Sequence, residues 1–196
     1  CKYSNLPTTT KSLILENIEK TYQKKTLIEH ILHRPDSYVG SINKSIKSQW
    51  IFDKSQNKII EKEIMYVPAL FKIFDEILVN ASDNKRRDDR MSYIKINVNR
   101  DENEISISND GSGIPVVLHS TENMYIPTLI FGNLLTSSNY DDSLEKFTGG
   151  RNGFGAKLCN LFSKSFSVET SSEITGYRYK QVIMKQNSFG HHLLYR

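Results

Sequence analysis

The stretch TGGRNGFGAKL, from Thr148 to Leu158, sets Gly149, Gly150, Gly153 and Gly155 beside Arg151 and Lys157. Glycine-rich turns that run into a helix let the backbone approach a phosphate closely, and the helix start offers it unpaired N–H groups. A P-loop of the form G-x-x-x-x-G-K-S/T is excluded: Gly150 and Gly155 have the spacing, but Ala156 stands where lysine is needed and Leu158 follows Lys157. A dinucleotide-binding G-x-G-x-x-G turn is excluded as well. The order here is reversed, Gly150-x-x-Gly153-x-Gly155, and the preceding YDDSLEKF is no buried strand. The segment points to phosphate, and the rest of the chain must supply the kind of fold.

That rest reads as α+β. Residues 68–87 give the clearest helix, with Leu70, Ile73, Phe74, Ile77, Leu78 and Ala81 on one stripe. TLIEHILH predicts a shorter helix stopped by Pro35, and a further helix follows Pro127. WIFD with KIIEKEIMYV, and YIKINVN with EISISND, read as two hairpins, the second turning through RDEN. A polar loop at 137–148 leads into the glycine segment, and a helix starts near Gly155. KSFSVETSS and GYRYKQVIMK read as two closing strands. Antiparallel strands with helices on one face are the expected architecture. Residues 1–25 are polar and rich in threonine and lysine, and read as an arm.

Composition narrows the class. The chain has 196 residues, enough for one domain or a tight pair, and 38% of them are apolar, enough for one core. A net charge of +4 with mixed signs does not make a DNA-binding face. The basic run NKRRDDR at 84–90 is diluted by acids and reads as a solvated helix end. Cys1 and Cys159 form no disulfide framework, which suits a reducing compartment. No apolar run is long enough for a membrane span and no signal peptide opens the chain. A first residue Cys1 in place of Met reads as the start of a fragment.

Three places carry polar groups that suit chemistry. On the long helix Glu76, Asn80, Asp83, Asn84 and Arg87 form a second stripe. Glu76 and Asn80, four apart, meet on one face, where a carboxylate can take a proton from water and an amide oxygen can serve Mg²⁺. A plain solvent-exposed polar face is the other reading. NDGSGIP at 109–115 follows a strand; Asp110 with Gly111 and Gly113 is either a turn or a seat for a flat base with Asp110 accepting from its amine. TSSNY at 136–140 is either a cap and turn or a ribose and phosphate contact.

The order of these features, E-x-x-x-N on a helix, then D-x-G-x-G, then G-G-x-x-G-x-G-x-K, resembles the GHKL (Bergerat) ATPase superfamily. EHILHRPDSYVGS, IFDEILVNASDNKRRD, IPTLIFGNLLTSSNYDD and TGGRNGFGAKLCNLFS are similar to the ATPase region of eukaryotic type II DNA topoisomerases over roughly residues 20–186. The resemblance implies a GHKL sandwich of mixed, mostly antiparallel sheet, with an arm at 1–25 and an incomplete ATPase domain at 26–196. It implies ATP and Mg²⁺ as ligands. Glu76 would be the general base, and Asn80 the Mg²⁺ ligand that also touches phosphate. Asn84, Asn109, Asp110, Ser137, Ser138 and Asn139 would contact the nucleotide, Asp110 reading adenine. Gly150, Arg151, Asn152, Gly153, Phe154, Gly155, Ala156 and Lys157 would form the phosphate lid and following helix start. Tyr22 in the arm would reach a homodimer partner's site. DNA would be the partner of the full-length enzyme, no membrane would be involved, and the nucleus would be the location.

The resemblance has departures. Phe154 stands where Tyr is common in the family, and the closing NSFGHHLLYR leaves the family pattern. The family's transducer domain, which completes the γ-phosphate site, and its DNA-cleaving tyrosine are not in this sequence. On that reading the chain alone neither cleaves nor passes DNA, and hydrolysis is slow or absent. A non-hydrolysing nucleotide-binding or dimerisation module is the alternative of another class, and a chaperone or mismatch-repair ATPase is a third reading. TSSNYDD and EHILHRPDSYVGS argue against that third one.

Overall fold

The structure is a computed structural model that describes residues 7–132 and 155–184 and the backbone of 191–195. It divides into two compact units, Cys1–Tyr38 and Val39–Arg196. The first holds α1 (Thr8–Thr21) and α2 (Leu27–His33). α1, within the arm read from the sequence, buries no residue. α2 starts on a capping box: the Thr26 hydroxyl accepts from the Glu29 amide (3.3 Å) and the Glu29 carboxylate accepts from the Thr26 amide (2.7 Å). Pro35 opens a single 3₁₀ turn and the helix goes no further.

The second unit runs β1 (Ser45–Asp53), β2 (Lys58–Tyr66), α3 (Pro68–Arg87), β3 (Ile94–Asn99), β4 (Glu104–Asn109), α4 (Ile126–Gly132), α5 (Gly155–Phe162), β5 (Ser165–Ser172), β6 (Tyr177–Met184) and β7 (His191–Tyr195). The α+β class and antiparallel pairing are as expected. Among the described residues the strands form three separate ladders, β1–β2, β3–β4 and β5–β6–β7. The hairpin registers follow from their turns. Asn103 adopts φ 53° between β3 and β4, a left-handed conformation that asparagine tolerates, and the Asn99 side chain accepts from the Asp101 and Glu102 amides. The first hairpin is longer than WIFD suggests, because its first strand begins at Ser45. β7 was not foreseen; the chain end that leaves the family pattern pairs with β6, Arg178 opposite Tyr195.

α3 has the bounds its apolar stripe predicts. Pro68 sits in its first turn, where no N–H is needed, and Lys85, Arg86 and Arg87 meet the negative end of the helix dipole. The core it joins includes Ala69, Ala81, Met91, Val116, Leu158 and Tyr179. The Tyr179 ring is fully buried, and its hydroxyl is satisfied at 2.6 Å from the Thr128 hydroxyl on α4. One face of the β1–β2 ladder, with Ile46, Trp50, Phe52, Ile59 and Met65, is exposed. No helix among the described residues is long and apolar enough to cross a membrane.

Candidate functional site

The polar stripe of α3 is exposed only at its end, at Arg87. Asp83 is buried, and Glu76, Asn80 and Asn84 are half-buried. α3 packs against α5 and β4, with Glu76 on the α5 side and Asn84 at the end of β4. Glu76 meets the first residue of α5. A β-carbon on Gly155 would run into the Glu76 carboxylate, with its Oε2 nearest and its Cδ at 3.0 Å. Only glycine lets the helix start come so near a carboxylate. The opening amides of α5, at Gly155, Ala156 and Lys157, are the ones a helix leaves without intrahelical partners. The carboxylate and the helix start, read separately from the sequence, are therefore adjacent.

The other Glu76 oxygen is held from its own helix. The Lys72 ammonium lies 2.6 Å from Oε1, one turn back, and the carboxylate raises the lysine's pKa above its ordinary value. Sequence reasoning missed Lys72. The i,i+4 spacing was the available signal, masked because an ion pair at that spacing is common on any helix.

Asn84 supports the turn after β4. Its Nδ2 donates to Asn109 Oδ1 at 3.0 Å and to the Ser112 carbonyl at 3.2 Å, which uses both of its N–H donors. Asn109 Oδ1 also accepts from the Gly111 amide at 3.2 Å. Gly113 presses the turn onto β5: a β-carbon there would lie 2.8 Å from the Thr170 hydroxyl, which itself accepts from the Ile114 amide at 2.9 Å. Asp110 faces the entry to β3. It accepts from the Ser92 hydroxyl (2.5 Å) and from the Ser92 and Tyr93 amides (2.8 and 3.1 Å), and these bonds, the hydroxyl first, hold its pKa below the ordinary value.

Asn80 lies between Glu76 and Asn84 along the helix. A carboxylate and an amide oxygen one turn apart are hard donors, and Mg²⁺ takes few protein ligands and fills its shell with water and substrate phosphate. That donor set fits the ion. Among the described residues no group of three or more His, Cys, Asp or Glu side chains offers an enclosed metal cage. Ala156 is buried, and so is Lys157, whose burial pushes its pKa down to about 8. An ammonium kept from water strengthens any contact with phosphate. Ser137, Ser138, Asn139, Gly150, Arg151, Asn152, Gly153 and Phe154 lie outside the described residues.

Residues 66–185 match the family described as histidine kinase-, DNA gyrase B- and HSP90-like ATPase. The chain belongs to that ATPase family. Its relatives include DNA topoisomerase 2 of Drosophila melanogaster, 56% identical over 165 residues, which cover 84% of this chain and 11% of that protein. DNA topoisomerase 2-alpha of Homo sapiens is 55% identical over 168 residues, 86% of this chain and 11% of the relative. Among solved structures of this ATPase family, the ATPase and transducer domains of DNA topoisomerase II from Balamuthia mandrillaris superpose with a TM-score of 0.88 at 52% identity, covering 90% of this chain and 45% of that one. The ATPase region of Saccharomyces cerevisiae topoisomerase II gives 0.86 at 51% identity, over 90% and 47%. The chain thus spans 11% of the length of these full-length relatives.

Proposed function

We propose that this chain binds ATP with Mg²⁺ between α3, the turn after β4 and the start of α5, and hydrolyses it at the Glu76 end. The observation that carries the reading is the Glu76 carboxylate set against Gly155 at the α5 start. A γ-phosphate at those amides would put an attacking water within reach of the carboxylate. Glu76 Oε2 takes a proton from the water while its oxygen bonds to the γ-phosphorus. The bond from phosphorus to the bridging oxygen breaks, and ADP and phosphate result. The α5 amides and Lys157 meet the charge on the phosphate oxygens, so most of the acceleration comes from positioning and electrostatics. Asn80 holds the Mg²⁺, which supplies charge neutralisation at the phosphates. The turn at Asn109–Gly113 takes the base, with Asp110 accepting from its amine. Ser137, Ser138, Asn139 and residues 150–154 complete the ribose and phosphate contacts.

In the parent protein this region is the ATPase part of a type II DNA topoisomerase, on the strength of identities above 50% to such proteins. ATP binding closes a homodimeric gate and hydrolysis resets it while DNA passes elsewhere in the molecule. The arm at residues 1–25 crosses to the partner and brings Tyr22, an exposed residue, to its site. The location is the nucleus.

The test is calorimetry with a non-hydrolysable ATP analogue and Mg²⁺, together with phosphate release, on the wild type, Glu76→Gln and Asn80→Ala. Glu76→Gln should keep affinity within about threefold and lose at least about 100-fold in turnover, the scale of a positioned general base. Asn80→Ala should lose Mg²⁺-dependent binding. Turnover unchanged in Glu76→Gln would instead leave a nucleotide-binding module with no hydrolytic role for this carboxylate.

A further inference from the structure

The function proposed above makes no use of Asp88, the residue on which α3 ends. Asp88 belongs to the charged run 84–90, yet it is buried while Arg86 and Arg87 are exposed. Its Oδ2 accepts from the Ser112 amide at 2.7 Å and the Ser112 hydroxyl at 2.6 Å. Its Oδ1 accepts from the Arg90 amide at 3.0 Å and Arg90 Nε at 3.2 Å. Arg90 goes on to the Ser112 hydroxyl (3.2 Å) and to Glu173 in the turn between β5 and β6 (3.1 Å).

Ser112 is the middle of the turn between Gly111 and Gly113, a segment outside any strand or helix. Its carbonyl accepts from Asn84 and its amide donates to Asp88. The end of α3 therefore holds one residue by both its backbone N–H and its carbonyl, with two side chains four residues apart. A turn flanked by glycines has much conformational freedom to lose, and a binding surface made from it gains affinity when that loss is met before the ligand arrives.

We propose that Asp88 is a positioning residue that sets nucleotide affinity, acting through the amide and hydroxyl of Ser112 to hold the base-side turn in its binding geometry. This rests on the nucleotide reading of the same site. Asp88 itself touches no nucleotide. Because Glu76 lies three helical turns away at the other end of the site, the effect falls on binding and not on the chemical step.

The experiment uses the full chain and the variants Asp88→Asn, Ser112→Ala and the double variant, at a temperature where circular dichroism shows each folded. Affinity for the non-hydrolysable ATP analogue with Mg²⁺ is read by calorimetry, and KM and kcat by phosphate release. Asp88→Asn should weaken analogue binding about tenfold, the scale of a lost hydrogen bond to a charged group, and raise KM with kcat nearly unchanged. Ser112→Ala should weaken it in the same direction, and the double variant should be no worse than Asp88→Asn, since one interaction is removed once. A lower melting temperature with wild-type affinity would make Asp88 a stabiliser of the fold only and overturn the proposal. Losses that add in the double variant would overturn its route through Ser112. If Asp88→Asn does not fold, Ser112→Ala removes the hydroxyl bond and Ser112→Pro the amide bond, and unchanged affinity in both overturns it. A wild type that binds no nucleotide sinks the function reading itself; a wild type that binds, and loses turnover in Glu76→Gln, isolates any failure to Asp88.

Discussion

Lys157 is the residue whose surroundings are most at odds with its charge. Burial lowers its pKa to about 8, so in the free chain it begins to lose its proton just above neutral pH. A triphosphate bound beside Lys157, as proposed, would stabilise the protonated form, and the lysine would then take up a proton on binding above pH 8. Analogue affinity should therefore be flat from pH 6.5 to 7.5 and then fall, approaching about tenfold per pH unit above the free pKa, with uptake of one proton per nucleotide. Lys157→Met should bind more weakly at neutral pH and lack this alkaline fall. Calorimetry in buffers of different ionisation enthalpy measures the proton uptake directly; none at pH 8.5 would remove Lys157 from the phosphate site. Glu76 and Asn80 were legible in the sequence because both lie on one helix, where spacing alone fixes the shared face. The Asn84–Asn109 hydrogen bond was not, because it joins residues 25 apart and depends on how β4 meets α3. Asp88 was hidden by its company: in a run of seven residues with six charges, burial of one carboxylate is a property of the turn that folds over it, not of the run.

At the scale of elements, α3 arranges the site. Glu76, Asn80, Asn84 and Asp88 recur every four residues, and each step of four advances about 40° beyond a full turn. Over three steps the row winds by about 120°. That is why its first member meets α5 and its last meets the turn after β4. The α3–α5 junction makes a sharp demand. In Gly155→Ala the new methyl group would lie 3.0 Å from Glu76 Cδ and 3.2 Å from its Cβ, so the carboxylate or the helix start must move. Phosphate release should fall by at least about tenfold, since an ångström of misplacement at a reacting centre can cost far more. Analogue binding should fall less. Equal turnover in Gly155→Ala and wild type would mean that Glu76 is not poised at the α5 start during reaction. The long helix was legible to the residue because its apolar stripe and its proline agree. The hairpins were legible from their alternating strands and turns, whereas β7 was not, because the segment that forms it carries no such alternation.

For the whole molecule, acid is the more revealing stress. Asp88 and Asp110 both have pKa values held below the ordinary carboxylate range by bonds that exist only in the folded chain. A depressed folded-state pKa contributes stability that is fully present above the unfolded value near 4 and is lost as pH falls toward the folded one. The melting temperature of the free chain should thus decline below about pH 4.5, and more gently in Asp88→Asn and in Asp110→Asn. Thermal scans across pH 3–6 test this; parallel curves for all three chains would show that other groups govern acid unfolding.

The row along α3 also bears on how such a gene can change. Loops around the site can gain or lose residues while the helix keeps its place, because loop closure depends only weakly on length. Between Glu76 and Asp88 no such freedom exists. One inserted residue turns everything beyond it by about 100°, swinging the grip on Ser112 away from its turn while the carboxylate at Gly155 stays put. In a library of single-codon insertions and deletions, that thirteen-residue interval should therefore form a silent gap among functional clones, flanked by tolerant segments on either side.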